Sequence, residues 1–418
     1  MKVKNSDLNN LFLLPKNFPK IEEFPEKIKL LQEKSAIYAK LMALEQEIQP
    51  ILQKIESTGI EIANDWFDVG LLEQRANLVK IQSEIESYFP NRSPPVDELL
   101  IESFFLEKQL PQAKSFDHLQ QYRRLHPLYG LLLQQKKNQQ FINQWGEKLL
   151  QRGSPVEGGT ILRGEWVSYA SYSGRIFAKK LPLTSLPRCM RNYIRTSGTV
   201  LSLDFNNAEL RFLAYYSRCK KLLEQFETGE DIHYRTGTMI AQAIGLKDAD
   251  VAVIRKTGKQ FAFALLYGAG TSMIVNNLRK LVPTVTSATV SQLVTAFFKT
   301  YPEVHLFLDN LEKDSHLLTP FGRIKPLATF KPTQKRNYPF QSSIAVAVKQ
   351  LMLIANKRFD VVHVIHDEIW ILAPTREPTI VEEVIEEFYH QLLNILPDFP
   401  ISGFIKVEPI GGNTHEHG

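Results

Sequence analysis

Apolar residues recur at helical spacing along the first third of the chain. In "LEQEIQPILQKIESTG" they share one helix face, and Gly59 stands where a helix C-cap is expected. The apolar positions on this face are Leu44, Ile48, Ile51, Leu52 and Ile55. Further helical patterns begin at "SPPVDELL" and "HPLYGLLLQQKK". The pattern predicts a helical domain up to about residue 150, preceded by a proline-interrupted arm over residues 1–40.

The rest of the chain alternates between strand-like and helical segments. The segment "GTVLSLDF" predicts a buried strand, followed at once by the helical "NNAELRFLAYYS". Helical patterns dominate from 231 to about 315, and a further helix is predicted at "SSIAVAVKQLMLIANK". The runs "DVVHVI" and "EIWILAP" then predict two strands joined by a tight turn. This order favours an α+β fold in which helical segments flank a core sheet.

Composition narrows the class of protein. Of 418 residues, 44% are hydrophobic, which is enough for a sizeable core, and the net charge of +5 fits a polyanionic partner without requiring one. The only cysteines are Cys189 and Cys219, so neither a disulfide framework nor a cysteine zinc site is available. No apolar run has transmembrane length, and the N-terminus has no signal-peptide pattern. We expect a cytoplasmic protein with no membrane partner.

Carboxylates stand at two strand ends. Asp204 ends the predicted strand "GTVLSLDF", and Glu209 follows in the first turns of the next helix, after Asn206 and Asn207, which suit an N-cap. Taken alone, the motif is explained more simply by a helix cap at Asp204 and a surface salt bridge at Glu209. Their residue types also suit a divalent cation, because such cations prefer oxygen ligands.

The second carboxylate group is in "VIHDEIW", where His366 and Asp367 fall at the predicted hairpin turn and Glu368 begins the next strand. A plain polar turn and half of a metal site are both consistent with this pattern. Periodicity does not place Asp367 beside Asp204.

A third group lies on one predicted helix, "RKTGKQFAFALLYG", where Arg255, Lys259, Phe263 and Tyr267 are spaced four apart. Each step of four rotates the position by roughly 40°, so the four side chains share a face about 18 Å long. Two cations followed by two aromatic rings suit a nucleoside triphosphate, with its phosphates at one end and its base at the other. The alternative is an amphipathic helix with core aromatics and solvated cations.

In order along the chain, these three segments resemble motifs A, B and C of the family A DNA polymerases, the bacterial DNA polymerase I type. Four other segments resemble further elements of that family: "SGRI", "GEDIHYRTG", "TPFGR" and "NYPFQS". The resemblance covers residues from about 41 to 418. It implies an α+β right-hand polymerase fold, with an antiparallel palm sheet, helical fingers and a helical thumb.

The resemblance also implies domain boundaries. They are an N-terminal arm at 1–40, a thumb at 41–165 whose leading helix packs on the palm, a first palm segment at 166–217, fingers at 218–300 and a second palm segment at 301–418.

The activity implied is template-directed addition of dNTPs to a primer 3′-hydroxyl by two-metal phosphoryl transfer. The resemblance implies two Mg²⁺ ions, for which Mn²⁺ can substitute. The implied metal ligands are Asp204, Phe205 and Asp367. Lys259 and Glu368 complete the implied catalytic set with the two aspartates.

The remaining implied roles concern the nucleotide and the DNA. Arg255, Lys259 and His233 would bind the triphosphate, Phe263 would face the sugar and Tyr267 would sit at the templating position. Glu209 would occupy the space of a ribose 2′-hydroxyl, and Asn207 would complete the dNTP site. Duplex contacts near the minor groove, where hydrogen bonds test pair geometry more than sequence, would come from Arg175, Asn337 and Gln341, and His366 would support the primer terminus.

The sequence departs from the family pattern at several places. "PLTSLP" replaces a polar segment, Ala262 and Ala264 replace Asn and Gly, and Ser342 replaces Gly, which affects the expected fidelity and grip on the duplex. We find no D-x-E exonuclease motif and expect neither proofreading nor a 5′-nuclease domain. The expected partners are primer–template DNA and dNTPs, the expected state is a monomer, and the small size suits a plasmid, phage or other mobile element.

Two alternatives remain open. A single-subunit RNA polymerase would share the fold, but Glu209 argues against it because a ribonucleotide needs space for its 2′-hydroxyl. A catalytically degenerate polymerase fold serving as a DNA-binding replication or defence factor is opposed by the intact carboxylates Asp204 and Asp367.

Overall fold

The computed structural model describes most of the chain. The described residues are 35–90, 95–168, 171–246, 249–313, 316–326, 330–373 and 378–411. Residues 1–34 of the expected arm therefore lie outside the described residues, and its last residues belong to a helix that begins at Ser35.

The described residues form sixteen α-helices, numbered in chain order. They are α1 Ser35–Glu47, α2 Gln49–Thr58, α3 Leu72–Glu86, α4 Glu98–Glu107, α5 Phe116–Tyr122, α6 Pro127–Ile142, α7 Lys148–Arg152, α8 Ala208–Ser217, α9 Lys220–Glu227, α10 Ile232–Ile244, α11 Val251–Leu266, α12 Thr271–Leu278, α13 Ser287–Thr300, α14 Pro302–Lys313, α15 Pro332–Ala355 and α16 Pro378–Ile395. Short π-helical turns occur at Trp66–Gly70 and Asn143–Glu147, and 3₁₀ turns at Leu183–Ser185 and Arg188–Tyr193.

The same ranges contain twelve strands, numbered in the same way. They are β1 Ile60–Ala63, β2 Ser154–Val156, β3 Gly159–Leu162, β4 Glu165–Val167, β5 Phe177–Lys179, β6 Ile194–Arg195, β7 Thr199–Phe205, β8 His316–Leu318, β9 Ile324–Pro326, β10 Asp360–Ile365, β11 Glu368–Ala373 and β12 Ile405–Ile410.

The described residues divide into two compact units. The smaller unit falls within Thr58–Gly164, Leu186–Ser197 and Ile410–Gly418, and the larger unit within Met1–Ser57, Glu165–Ser185 and Gly198–Pro409.

The smaller unit combines a helical core with a four-stranded sheet of order β2-β3-β1-β6. Three of its helices, α4, α5 and α6, begin at side-chain caps, because Asp97, Ser115 and His126 each accept a backbone N–H of the first turn that follows. The helices bury a contiguous apolar cluster. Its members are Ile81, Ile85, Phe89, Phe105, Leu119, Leu128, Tyr129, Leu132 and Leu133.

The larger unit is built around a second four-stranded sheet, of order β10-β11-β7-β12. β11 pairs antiparallel with both β10 and β7, and all of its residues except Leu372 are buried. Phe205, at the end of β7, stacks on Phe404 and Phe388 with ring centroids 4.5 and 5.5 Å away. The helix α15 is largely buried and packs against α1, α8 and α16. Both predicted strands of the C-terminal hairpin are therefore present, in the middle and at the edge of this sheet.

Helices α10 and α11 touch through their backbones. A Cβ added to Gly258 on α11 would lie 2.0 Å from the carbonyl oxygen of His233, and one added to Gly237 on α10 would lie 2.0 Å from the carbonyl oxygen of Ile254. Glycine at both positions lets the two helices approach closely enough to set His233 beside Lys259. The approach explains why Gly258 interrupts an otherwise ordinary helical pattern.

Within the described ranges, no helix is both long and apolar enough to span a bilayer.

We predict that Gly258→Ala destabilises the protein by about 1–3 kcal/mol, because the added methyl group forces the backbones of α10 and α11 apart. The measurement is urea unfolding at neutral pH. Gly130→Ala is the control: Gly130 also lies in a helix, but a Cβ there would meet no atom within 4 Å. This control should be neutral or stabilise by about 0.5–1 kcal/mol. Equal stability changes for both variants would show that the backbone contact is unimportant.

Candidate active site

Two aspartates lie at the ends of neighbouring strands of the larger unit. β7 ends at Asp204 and Phe205, and its register with β11 places Glu368 opposite Asp204. The N–H of Phe205 donates to the carbonyl oxygen of Asp367 at 3.2 Å, which holds the β10–β11 turn beside the end of β7. His366, with φ of +52°, is the other turn residue. The structure thus brings Asp204 and Asp367 together at one end of the strands β7 and β11.

Glu368 is fixed against this sheet. Its side chain is buried, and its Oε1 accepts hydrogen bonds from Ser202 Oγ at 2.5 Å and from Trp370 Nε1 at 2.7 Å. Ser202 is the cross-strand partner of Trp370, so strand register alone brings both donors to the carboxylate. A carboxylate oxygen with two donors is restrained, which suits Glu368 to a supporting role.

Glu209 lies in the first turn of α8, just after β7, and is hydrogen-bonded to the C-terminal end of α11. Tyr267 Oη donates to Glu209 Oε1 at 2.6 Å, and Arg175 Nη2 lies 3.8 Å from the same oxygen. Nearby, Tyr172 Oη donates to Gln341 Oε1 at 2.8 Å. Five side chains from four regions of the chain therefore meet at one place.

Burial shapes the charge of the two carboxylates. It raises the pKa of Asp367, and the Arg175 guanidinium partly offsets this by favouring the charged form. Burial likewise raises the pKa of Glu209, against the lowering effects of the Tyr267 hydrogen bond and of Arg175. The charge on Asp367 raises the pKa of Glu209 further, which shows that the two groups are electrostatically coupled. The site is a negative cluster in which a bound cation would be favoured.

The donor set fits Mg²⁺ that also binds a phosphate ligand. Among the described residues, no group of three or more His, Cys, Asp or Glu side chains is arranged to hold a metal ion. Mg²⁺ is commonly bound through one or two carboxylates, with phosphate and water oxygens completing its octahedron. Asp204 and Asp367 supply two such carboxylates. The Phe205 ring is packed in the core, so this residue can offer only its backbone carbonyl.

The side chains on α11 follow the predicted stripe. Arg255 and Lys259 are exposed, and Lys259 Nζ lies 5.7 Å from the centroid of the Phe263 ring. Phe263 and Tyr267 have centroids 5.7 Å apart, and Tyr267 is the C-cap of the helix. Arg255 Nε donates to Asp231 Oδ2 at 2.7 Å. The cationic end and the aromatic end of the stripe thus lie along one continuous face.

His233 is held uncharged beside this stripe. It is 1% exposed, its ring lies 5.9 Å from that of Phe263, and burial together with the charges of Lys259 and Arg255 lowers its pKa to about 4. Because Asn207 Oδ1 is an acceptor, the imidazole donates to it from Nε2, at 3.1 Å. At neutral pH His233 can therefore offer hydrogen bonds but no charge.

The expected N-cap position is confirmed at Asn207 alone, and without the capping hydrogen bond. Asn207 occupies the N-cap position of α8, with φ of +54°, but its side chain makes no capping hydrogen bond and points to His233 instead. Asn206 contacts the 403–404 segment, where its Nδ2 donates to the Gly403 carbonyl oxygen and its N–H to that of Phe404. A left-handed residue at this position turns the side chain of Asn207 away from the first turn of the helix, towards the dNTP-site candidates.

The four predicted DNA-binding residues differ in their surroundings. Gln341 is engaged by Tyr172, and His366 is exposed on the hairpin turn. Asn337 Oδ1 and Arg175 Nε are buried atoms with no hydrogen-bond partner among the described residues. Buried polar atoms are costly when unpaired, and neither of these two atoms is accessible to a ligand in this structure.

Three residues of the site were not predicted. Asp231 caps α10 and pairs with Arg255, and an Asp directly before a helical pattern could have indicated the cap but not the ion pair. Tyr172 holds Gln341, and Trp370 holds Glu368. The sequence offers no local indication of either contact, because both depend on the tertiary fold.

The sequence matches a known family over most of its length. The profile of DNA polymerase family A matches residues 73–402. Similar curated proteins include the DNA polymerase I of Caldicellulosiruptor bescii, 24% identical over 82% of this chain, and that of Deinococcus radiodurans, 24% identical over 79%. The thermostable DNA polymerase I of Thermus thermophilus is 22% identical over 82% of this chain. This chain spans 44%, 38% and 45% of the lengths of these relatives, respectively.

A solved structure shares the fold. The POL domain of Pol1 from M. smegmatis, in complex with DNA primer-template and dNTP, superposes with a TM-score of 0.73 at 19% sequence identity. The match covers 91% of this chain and 72% of that one. The expected α+β right-hand polymerase fold is confirmed by this likeness. With motifs A, B and C meeting in one unit and the family profile spanning most of the sequence, the chain belongs to DNA polymerase family A.

Proposed function

We propose that this protein is a template-directed DNA polymerase that adds dNTPs to a primer 3′-hydroxyl by two-metal phosphoryl transfer. The observation that carries the proposal is that Asp204 and Asp367 lie at neighbouring strand ends, while Glu209, which is electrostatically coupled to Asp367 and Lys259, is hydrogen-bonded to Tyr267 of the α11 stripe. Family membership supports the same reaction. The expected partners are primer–template DNA and dNTPs, both of which are present in the similar M. smegmatis structure, and we expect a monomer.

The metal site would be formed at the strand ends. Asp204, Asp367 and the backbone carbonyl of Phe205 would hold two Mg²⁺ ions, with Mn²⁺ as a substitute. When bound, such ions lower the pKa of the attacking hydroxyl and neutralise charge on the phosphates. Glu368 would act behind them, by keeping the end of β11 in place through Ser202 and Trp370.

The triphosphate would lie along the first half of the α11 stripe. Lys259 is exposed and can donate to phosphate oxygens, and a lysine there can also protonate the leaving pyrophosphate. Arg255 would either exchange its hydrogen bond to Asp231 for one to a phosphate oxygen, or donate to both groups at once. Uncharged His233 has a single N–H, which donates to Asn207, so it would contact the triphosphate by exchanging this hydrogen bond for one to a phosphate oxygen.

The sugar and base of the dNTP would lie along the second half of the α11 stripe, beside Phe263 and Tyr267. Phe263 offers a flat surface to the sugar, and Tyr267 a surface for stacking at the templating position. Glu209 would exclude a ribose 2′-hydroxyl, because its carboxylate is held in place by Tyr267 and lies close to Arg175. The duplex would be contacted by Arg175, Asn337, Gln341 and His366.

The domain assignment follows the same proposal. Residues 166–217 and 301–418 would form the palm, which includes the β10-β11-β7-β12 sheet. Residues 218–300 would form the fingers, which include α10 and α11, and residues 41–165 the thumb.

We predict that Asp204→Ala and Asp367→Ala each reduce primer extension with Mg²⁺ by about 10³-fold or more, because each removes a proposed metal ligand. Glu368→Gln should reduce it much less. The measurement is single-turnover extension of a labelled primer–template, with circular dichroism to confirm folding. Normal extension by either aspartate variant would refute the metal assignment. Strong DNA binding by wild-type protein without incorporation on any template would favour a non-catalytic role.

Selection against ribonucleotides provides a second test. Glu209→Ala should lower the preference for dNTPs over rNTPs by about 10- to 100-fold, because it opens the space of the 2′-hydroxyl. Tyr267→Phe, which keeps the ring but removes the donor to Glu209, should lower it less. The ratio of kcat/KM for matched dNTP and rNTP pairs is the measurement. An unchanged ratio in Glu209→Ala would exclude the proposed role.

The depressed pKa of His233 predicts a pH-dependent stability. The unfolded chain takes up a proton near pH 6.5 and the folded protein only near pH 4, so the contribution of neutral His233 to stability is lost as pH falls between these values. Wild-type protein should therefore lose more stability between pH 7 and pH 5 than His233→Gln. Chemical unfolding at each pH is the measurement. The exposed His390→Gln is the control and should follow the wild-type curve.

A further inference from the structure

Three charged side chains form a buried cluster away from the proposed reaction centre. Glu45 on α1, Arg323 before β9 and Lys349 on α15 are 3%, 4% and 0% exposed. Glu45 Oε1 accepts from Arg323 Nη2 at 2.6 Å and from Lys349 Nζ at 2.5 Å. The three groups together carry one excess positive charge in the interior.

Stability alone is a poor explanation for this cluster. The free energy lost on desolvating buried charges commonly equals the free energy gained from their attraction. Variants with apolar side chains of similar volume in place of such charges are often as stable as the original protein. The cluster is also incompletely satisfied, since Glu45 Oε2 and Arg323 Nε have no hydrogen-bond partner among the described residues. Because burying these charges is energetically unfavourable, we expect the cluster to fix the position of a part of the backbone.

The geometry that it fixes is that of the segment before β5. Lys349 Nζ also donates to the carbonyl oxygens of Ser168 at 2.7 Å and Gly174 at 2.8 Å. An ammonium group has three N–H bonds, and Glu45 and the two carbonyls use all three. Lys349 therefore ties both ends of this segment to one buried point.

The segment also lies directly over the arginine of the cluster. Gly174 has φ of +76°, and a Cβ there would lie 2.3 Å from the guanidinium carbon of Arg323. At Ser168, the hydroxyl oxygen accepts from Gln49 Nε2 at 3.0 Å. Ser168 and Gly174 are thus each held by more than one contact.

The next residue along the chain is Arg175. It lies 3.8 Å from Glu209 and offsets the burial that raises the pKa of Asp367. Between the two tied carbonyls, Tyr172 reaches Gln341. Holding the Gly174 carbonyl therefore favours the placement of Tyr172 and Arg175 at the proposed site.

We propose that Glu45, Arg323 and Lys349 are positioning residues, which act through Ser168 and residues 171–175 to place Arg175 beside Glu209 and Asp367. Their kinetic role rests on the proposed polymerase function, and their effect on the segment does not. The cluster lies within the larger unit and acts by holding backbone, without touching nucleotide or metal.

The protonation of Lys349 supports this view. Burial lowers its pKa to about 8, and the charged groups that act on it are Glu45 from α1 and Arg323 from the β8–β9 hairpin. A neutral amine has two N–H bonds for three acceptors, so one tie is lost as pH rises through this value.

The first experiment needs no catalysis. Hydrogen exchange of the 171–176 peptide, corrected for the intrinsic rate, should be faster in Lys349→Met than in wild-type protein at pH 7. The wild type should approach the variant at pH 9, while exchange of the 199–205 strand stays unchanged. Lys325→Met is the control, because Lys325 is also buried and its pKa is also lowered to about 8, but its ammonium lies 5.5 Å from the Phe330 ring. Unchanged exchange in Lys349→Met would overturn the proposal.

The second experiment is a double-mutant cycle in primer extension, run below the melting temperature of every variant. Lys349→Met should lower kcat/KM by about 10- to 100-fold in the wild-type background. It should lower kcat/KM by less than about 3-fold when Arg175 is already Ala, because the residue being positioned is then absent. Equal losses in both backgrounds would overturn the proposal.

If Lys349→Met does not fold, Glu45→Gln replaces it in both experiments, because glutamine keeps the size of the side chain but removes the carboxylate charge that attracts Arg323 and Lys349. Should the wild-type protein extend no primer, the proposed function fails, and the exchange measurement still decides whether the cluster orders the segment.

Discussion

The antiparallel register of β7 and β11 is the interaction on which the site depends. It sets Asp204 opposite Glu368 and Ser202 opposite Trp370, so one ladder of backbone hydrogen bonds aligns a metal-ligand candidate, a supporting carboxylate and its two donors. Side chains alternate between the faces of a sheet, and a slip of one residue would turn all of them to the opposite face. The burial of most residues in both strands favours this register, because a slip would change which side chains pack at each buried position.

Much of this arrangement could be predicted from sequence. The strand ending at Asp204, the helical stripe from Arg255 to Tyr267 and the hairpin turn at Asp367 all follow from local periodicity, and the structure contains each of them. Periodicity did not indicate that Asp204 and Asp367 meet, because strand pairing between distant segments leaves no local pattern. The resemblance to a polymerase family supplied that link.

Other features had no sequence indication, or a misleading one. Asn207 has the residue type of a helix cap, yet a left-handed backbone and the donor on His233 outweigh the capping preference. Glu45 falls among polar helix positions and Lys349 inside an apolar run, and neither position suggests an ion cluster. Such contacts depend on which groups the tertiary fold leaves without water, and that is decided by the packing of several elements at once.

The glycine contact between α10 and α11 has a mechanical consequence. The backbones of α10 and α11 touch at Gly237 and Gly258, so no side chains lie between them that could rearrange if one helix slid past the other. We therefore expect the two helices to move together as one rigid unit. His233 rides on one helix and Lys259 on the other. Any movement of this pair of helices therefore moves His233 and Lys259 together. The distance between these two side chains is preserved, while their distance from the C-terminal end of β7 changes.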